Sequence, residues 1–205
     1  VATAHGGSLE TVLPGVTGWL VPPLDAEAMA SAVSEALDDS WRARRMGEEG
    51  RRWVNERFTA KAMCEKTLAL YREADGERRR AKKREKVTVM QLLPELNSGG
   101  VERGTVEMGR FLVRHGHRSL VVSGGGRLVP QLEQEGSLHF KRNIGSKSPV
   151  ALLHIWPLRR LMKLHRVDVL HLRSRMPAWI GYVAWLTLPR RSRPLLVTTF
   201  HGFYS

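Results

Sequence analysis

The chain of 205 residues predicts an α/β protein: a parallel sheet with helices on both faces, preceded by a mostly helical piece. Three observations carry this. From residue 87 onward, short apolar runs alternate with amphipathic ones of helical period, the signature of repeated strand–helix units. The short runs, such as "KVTVMQLL" and "VDVLHLR", are largely apolar rather than alternating, as strands buried on both faces are. Before residue 76 the pattern is chiefly helical, and "GERRRAKKREK" at 76–86, with no large apolar residue, separates the two parts. The expected organisation is therefore 1–75, a basic linker at 76–86, and a sheet domain at 87–205.

In the first part, "VATA" reads as the end of a buried strand and "HGGSLETV" as a turn into a short helix with Ser8 at its N-cap. "PGVTGWLVPPLD" reads as a turn, a short strand around Trp19–Val21 and a proline stop. Asp25 caps a helix in which Ala28, Ala32, Glu35 and Ala36 share a face. Helices at about 40–57 and 59–74 follow, the latter capped by Thr59, with Met63, Leu68 and Tyr71 near one face. A piece of this kind is expected to lack a complete core.

In the second part, "KVTVMQLL" opens the sheet and "GGVERGTVEMGRFLVRHGH", 99–117, forms a helix with Thr105, Met108, Gly109 and Leu112 on its inner face. "SLVVSGG", a short helix closed by Gly136, and "LHFKRNI" come next. "SPVALLHIWPLRRLMKLH" is a helix that Pro157 should kink or split. It sets Ile155, Leu158, Leu161 and Met162 on one side and Arg159, Lys163 and Arg166 largely on another. "VDVLHLR", "PAWIGYVAWLTL" and "PLLVTTF" complete a sheet of about five strands.

Charge divides as sharply as pattern. Residues 1–85 carry 15 Lys+Arg against 14 Asp+Glu, and 86–205 carry 18 against 6, so nearly all of the net +13 lies in the sheet domain. Such a surplus points to anionic partners: phosphorylated small molecules, acidic lipid or nucleic acid. The basic stretch has no aromatic residues to stack bases, and no nucleic-acid motif accompanies it, so nucleic acid is not expected. No apolar run reaches the roughly 18 residues of a membrane span. Cys64 stands alone, which excludes an intramolecular disulfide and suits a cytoplasmic protein; in a helix it reads as a buried core thiol.

Ligands of open parallel sheets bind beyond the carboxyl ends of the strands. Asn97-Ser98-Gly99-Gly100, Gly124-Gly125-Gly126, Arg173-Ser174-Arg175 and His201-Gly202 all fall there. Gly99 and Gly100 either make a tight turn or admit a ligand to the positive end of a helix. The triple glycine reads as a flexible turn. Arg173 and Arg175 around Ser174 suit a phosphate or carboxylate, or are simply solvated. His201 is a site residue or a core histidine. The glycines do not spell G-x-G-x-x-G, and no acidic residue ends the second strand, which argues against a dinucleotide dehydrogenase. "IGSKS" is not a P-loop, and the histidines lack ligand spacing, so no metal is expected.

"VATAHGGSLETVLPGVTGWLVPPLDAEAMASAVSEAL", with "RFTAKAMCEKTLALYRE", resembles the tail of the donor domain of retaining GT-B glycosyltransferases of family 4. "VMQLLPELNSGGVERGTVEMGRFLVRHGHRSLVVSGGG", "DVLHLRSRMPAWIG" and "TTFHG" resemble the start of the acceptor domain in the same family. The resemblance implies two Rossmann-like pieces in reversed order: a donor-domain tail followed by an acceptor domain, both truncated. Either two tandem transferases meet here, or one enzyme is circularly permuted. It implies transfer of a sugar, with retention and no cofactor or obligatory metal, from a nucleotide-sugar to a saccharide or lipid-linked acceptor of envelope polysaccharide type. It assigns the donor-phosphate and acceptor loop to Gly99 and Gly100, contact with the transferring sugar to His201 beside Gly202, and the glycine turn of the donor side to Gly6 and Gly7. The E-x7-E segment that grips the donor is expected before Val1, so this piece alone should be inactive. The competing reading is a basic module without catalysis that binds a membrane surface or nucleic acid. Arg159, Arg160 and Lys163 would then face anionic lipid, with the protein peripheral on the inner face of the cytoplasmic membrane.

Overall fold

The computed structural model describes residues 1–79, 86–146 and 148–199. They fall into two compact units, Val1–Met63 and Cys64–His201, each taken by itself below.

In the first unit, β1 (Ala2–Thr3) leads into the short α1 (Ser8–Thr11), and β2 (Leu20–Val21) lies parallel to β1. Ser8 is not the cap. Gly7 holds the N-cap position without a side-chain bond, and Ser8 is the first helical residue. α2 (Ala26–Asp38) starts where expected, the Asp25 carboxylate accepting from the Ala28 N–H at 2.8 Å. α3 (Ser40–Arg57) is capped by Asp39, and Thr59 caps the start of α4 (Ala60–Arg79), accepting from the Ala62 N–H. Val21, Ala32 and Met46 are buried, but Leu9, Leu24, Leu37 and Trp41 are exposed, and none of the three buried apolar clusters lies in this unit. A two-stranded parallel sheet offers little face for a core, since parallel strands are stable chiefly when both faces are covered.

From Cys64 onward α4 belongs to the second unit. Its inward residues are Cys64, Leu68 and Tyr71, spaced i, i+4, i+7, while Met63 is largely exposed. The helix continues through residues assigned from sequence to the linker; 80–85 lie outside the described residues. The rest of the unit is β3 (Thr88–Leu92), α5 (Gly100–Arg114), β4 (Arg118–Ser123), α6 (Val129–Gln134), β5 (Leu138–Lys141), a 3-10 turn (Pro149–His154), α7 (Ile155–Leu164), β6 (Val169–Leu172), α8 (Arg175–Leu186) and β7 (Leu195–Thr198). Pro157 neither kinks nor splits α7. It sits in the first turn, where a missing N–H breaks no helical bond, and the division falls earlier, at the 3-10 turn.

All five strands of this sheet are parallel, in the order β5-β4-β3-β6-β7. Every residue of β3 and β6 is buried, as their unbroken apolar character requires. Met90, Leu92, Leu120, Leu170 and Leu172 face one way and pack with Leu158, Met162 and Ile180 of α7 and α8. On the other side Val89 and Val169 pack with Met108 and Leu112 of α5 and with Cys64, Leu68 and Tyr71 of α4, while Val121 meets Val106 and Leu132 of α5 and α6. Gly181 brings α8 close to the sheet: a Cβ there would meet Leu172 Cδ2 at 2.7 Å and Leu92 Cδ2 at 2.8 Å.

Candidate functional site at the carboxyl edge of the sheet

The strand order reverses direction between β3 and β6, and that switch point is where a parallel sheet opens a crevice beyond its carboxyl ends. The loop after β3 carries Gly99 and Gly100, and the loop after β6 carries Arg173, Ser174 and Arg175, so both flank the crevice. Gly99 is the N-cap of α5 at φ 153°, a conformation L side chains rarely adopt, and an added Cβ would collide with the Glu102 carboxylate. No side chain hydrogen-bonds the N-cap of α5, a four-turn helix whose first turn carries the Glu102 carboxylate beside Gly99. Gly100, its first residue, has open space where a Cβ would stand.

Arg173 is 6% exposed. Its Nη1 donates to Gln91 Oε1 at 2.7 Å, and Gln91 Nε2 donates to the Thr105 carbonyl at 3.3 Å, which ties β6 to β3 and α5. The Arg173 Nε is buried without a partner among the described residues. Burial lowers the pKa of this guanidinium, with Tyr71, Cys64 and Glu102 opposing. Arg175 is exposed in the first turn of α8, a helix with no acidic residue there, so it stands against the helix dipole. The two arginines are thus not equivalent: one is buried in the sheet face, the other exposed on α8. Ser174, extended at the N-cap of α8, uses its carbonyl to accept from Ala178 N.

Gly124–Gly126 is not a loose turn. Gly124 N donates to Pro94 O, Leu96 N to Gly125 O, and Gly125 N to Ser123 Oγ, stitching the loop after β4 to the loop after β3. Gly126, at φ 142°, has no room for a Cβ, which would fall on the Leu96 carbonyl group.

His201 and Gly202 lie outside the described residues, but the chain leading to them is anchored. Thr199 N donates to Leu172 O, and the Thr199 hydroxyl meets His171 Nε2, whose Nδ1 is bonded to the Tyr71 hydroxyl at 2.6 Å. Burial raises the Tyr71 phenol well above its ordinary pKa. Tyr71 was read from sequence only as a residue near one face of its helix; its polar partners, buried Gln91 and His171 and half-buried Thr199, were not singled out. Their signal was a polar residue in the middle of each of two apolar strands, and the register sets Gln91 directly beside His171. Gly6 and Gly7 form the turn of the first unit between β1 and α1, Gly6 at φ 56° and Gly7 with open space beside it. Arg159, Arg160 and Lys163 lie on α7, away from the edge loops in sequence. Among the described residues no three His, Cys, Asp or Glu side chains gather as a metal site.

A parallel five-stranded sheet covered on both faces, with its loops gathered at a switch point, is a Rossmann-like arrangement of the kind GT-B glycosyltransferases contain. The crystal structure of a glycosyltransferase from Rickettsia africae ESF-5 is similar at TM-score 0.52 and 40% identity, over 59% of this chain and 31% of that one. The chain belongs to Glycosyltransferase Family 4, whose profile matches residues 98–205; that of the Glycosyl transferases group 1 matches 1–53. Residues of this chain are 46% identical over 54 positions to the GDP-mannose-dependent alpha-(1-6)-phosphatidylinositol monomannoside mannosyltransferase of Mycolicibacterium smegmatis, covering 26% of this chain and 14% of that protein. They are 39% identical over 67 positions to the alpha-1,3/1,6-mannosyltransferase alg2 of Schizosaccharomyces pombe, covering 32% of this chain and 13% of that protein. The matched stretches thus span about one seventh of these relatives.

Proposed function

We propose that the chain is the junction of two glycosyltransferases, a donor-domain tail followed by an acceptor domain, whose parent transfers a sugar from a nucleotide-sugar to a saccharide or lipid-linked acceptor with retention. The observation that carries this is the switch-point edge: an uncapped α5 amino end behind Gly99, with Arg173 buried beside it and Arg175 exposed at the head of α8. Cationic and amide donors in that arrangement suit the phosphates of a nucleoside diphosphate leaving group. The order of the two matched families along the chain, group 1 before family 4, supports the junction reading. In this reading Gly99 and Gly100 let the donor and acceptor approach the backbone, His201 contacts the transferring sugar, and Gly6 and Gly7 serve the donor side of the upstream enzyme. The chemistry needs no metal, and the 205-residue chain alone does not turn over donor. The named relatives are mannosyltransferases, which makes GDP-mannose the first donor to try. The test is release of nucleoside diphosphate by the full-length parent in step with acceptor glycosylation, with the product's anomeric configuration read by NMR. An inverted product, or turnover untouched by Gly99→Val, would sink the assignment.

A further inference from the structure

The helix layer formed by the 3-10 turn, α7 and α8 buries Ala151, Leu158, Met162, Ile180 and Ala184 against the sheet. Outward positions on such a layer are ordinarily polar, and here they are not. Leu153 is 70% exposed, Trp156 64%, Leu164 69% and Trp179 66%, with Val150 and Leu186 exposed as well. Arg159, Arg160 and Lys163 stand among them on α7, the Arg159 guanidinium 5.3 Å from the centre of the Trp156 ring. Residues 142–205 carry eleven Lys+Arg and one acidic residue, Asp168. That carboxylate is occupied, accepting from the Thr88 N–H at 2.8 Å at the start of β3. The layer itself has no acidic side chain.

We propose that the outer face of this layer docks on a bilayer containing anionic phospholipid. Trp156, Trp179 and the neighbouring leucines enter the boundary between headgroups and acyl chains, and Arg159, Arg160 and Lys163 meet lipid phosphates. The combination selects this occupant. A second copy of the chain joined through the same face would set cations against the same cations. Nucleic acid would use the arginines and tryptophans but leave the exposed leucines without a partner, since bases stack on aromatic rings. A lipid surface uses all three kinds of side chain. The proposal stands apart from sugar transfer and survives its failure.

The test is partitioning of the 205-residue chain onto vesicles of phosphatidylcholine with and without phosphatidylglycerol. Arg160→Gln/Lys163→Gln should weaken binding to the anionic vesicles by about fivefold per cation, roughly 25-fold together, and reduce its salt dependence. Trp156→Ser/Trp179→Ser should abolish the blue shift of tryptophan emission on binding. Both pairs are solvent-facing, and circular dichroism checks the fold; if the tryptophan pair unfolds, the charge pair and its salt dependence decide. Equal binding to neutral and anionic vesicles, or binding unchanged by the charge pair, overturns the proposal. So does displacement from vesicles by random-sequence RNA at equal affinity, or a concentration-dependent dimer that the charge pair strengthens.

Discussion

Replacing Tyr71 tests whether α4 is part of the sheet domain's core. The Tyr71 side chain is fully buried, and its hydroxyl is paired with His171 Nδ1 at 2.6 Å under β6. Tyr71→Phe keeps the ring and removes the partner of a buried histidine nitrogen, at a cost of about 1–3 kcal/mol. Tyr71→Ala adds a cavity beside Cys64 and Leu68, and large aromatic truncations cost about 3–5 kcal/mol. Because the chain has two units, one global unfolding free energy is not defined. Hydrogen exchange by mass spectrometry reads each unit separately. Peptides covering β3 and β6 should exchange roughly 5- to 150-fold faster in Tyr71→Phe, the same 1–3 kcal/mol expressed as a rate. Peptides from α2 and α3 should not change. If β6 exchange in Tyr71→Phe stays within about twofold of the parent, and Tyr71→Ala costs less than about 1 kcal/mol, α4 does not cover this sheet and the packing argument fails.

Three further outcomes follow from the same geometry. Gly126→Ala should destabilise the edge loops by about 1–3 kcal/mol of backbone strain, beyond any clash with the Leu96 carbonyl, read as faster exchange at 94–97. The Cys64 thiol, pushed up to about 11 by burial, should react with a thiol reagent near pH 8 about 100-fold more slowly in the folded chain than after urea unfolding; fast native labelling would contradict its burial. His139 titrates below ordinary histidine because burial disfavours its charged form, with Glu133 opposing and Lys141 assisting, and His165 is lowered by burial and by Arg118. The unfolded chain therefore takes up protons first. Stability is complete above about pH 6.5 and declines as pH falls toward the folded pKa values, a slope that His139→Gln should flatten in urea titrations of the sheet unit.

The sheet was legible because its physics is local. Strands buried on both faces must be apolar runs, and "KVTVMQLL" and "VDVLHLR" declare themselves that way. The helix caps at Asp25 and Thr59 were legible for the same reason: each is one side chain reaching an amide three residues on. What was not legible depended on contacts between distant residues. Cys64 is buried as the sequence suggested, but Met63, which was read as lying near the inward face, is left out by the docking of α4 on β3 and β6. The triple glycine after β4 looks like slack in sequence, and only the approach of the Leu96 backbone shows why Gly126 has to be glycine. Arg173 and Arg175 are two residues apart and look like one clamp. The end of β6 divides them, because the first still follows the strand's alternation onto the sheet face while the second already belongs to α8.

That division has a consequence for how the site and the basic layer are related. α8 begins at Arg175, at the carboxyl edge beside the crevice, and runs back along the sheet with Trp179 and Leu186 on its outer side. The helix whose first turn borders the site is therefore also one of the elements that expose the aromatic and aliphatic face. Its first turn carries a cation and no acid, which is unfavourable to the helix itself. Buried Arg173 is tied at the same edge through Gln91 to β3 and α5. On the two proposals above, the domain would meet phosphate at two places for two reasons: at the switch point through fixed backbone and a buried guanidinium, and along the helix layer through surface cations around apolar side chains. The first arrangement favours one oriented ligand, the second a surface with no fixed geometry. Mutations at Gly99 or Arg173 should accordingly alter ligand binding without altering partition onto vesicles, and mutations at Arg160 or Lys163 the reverse.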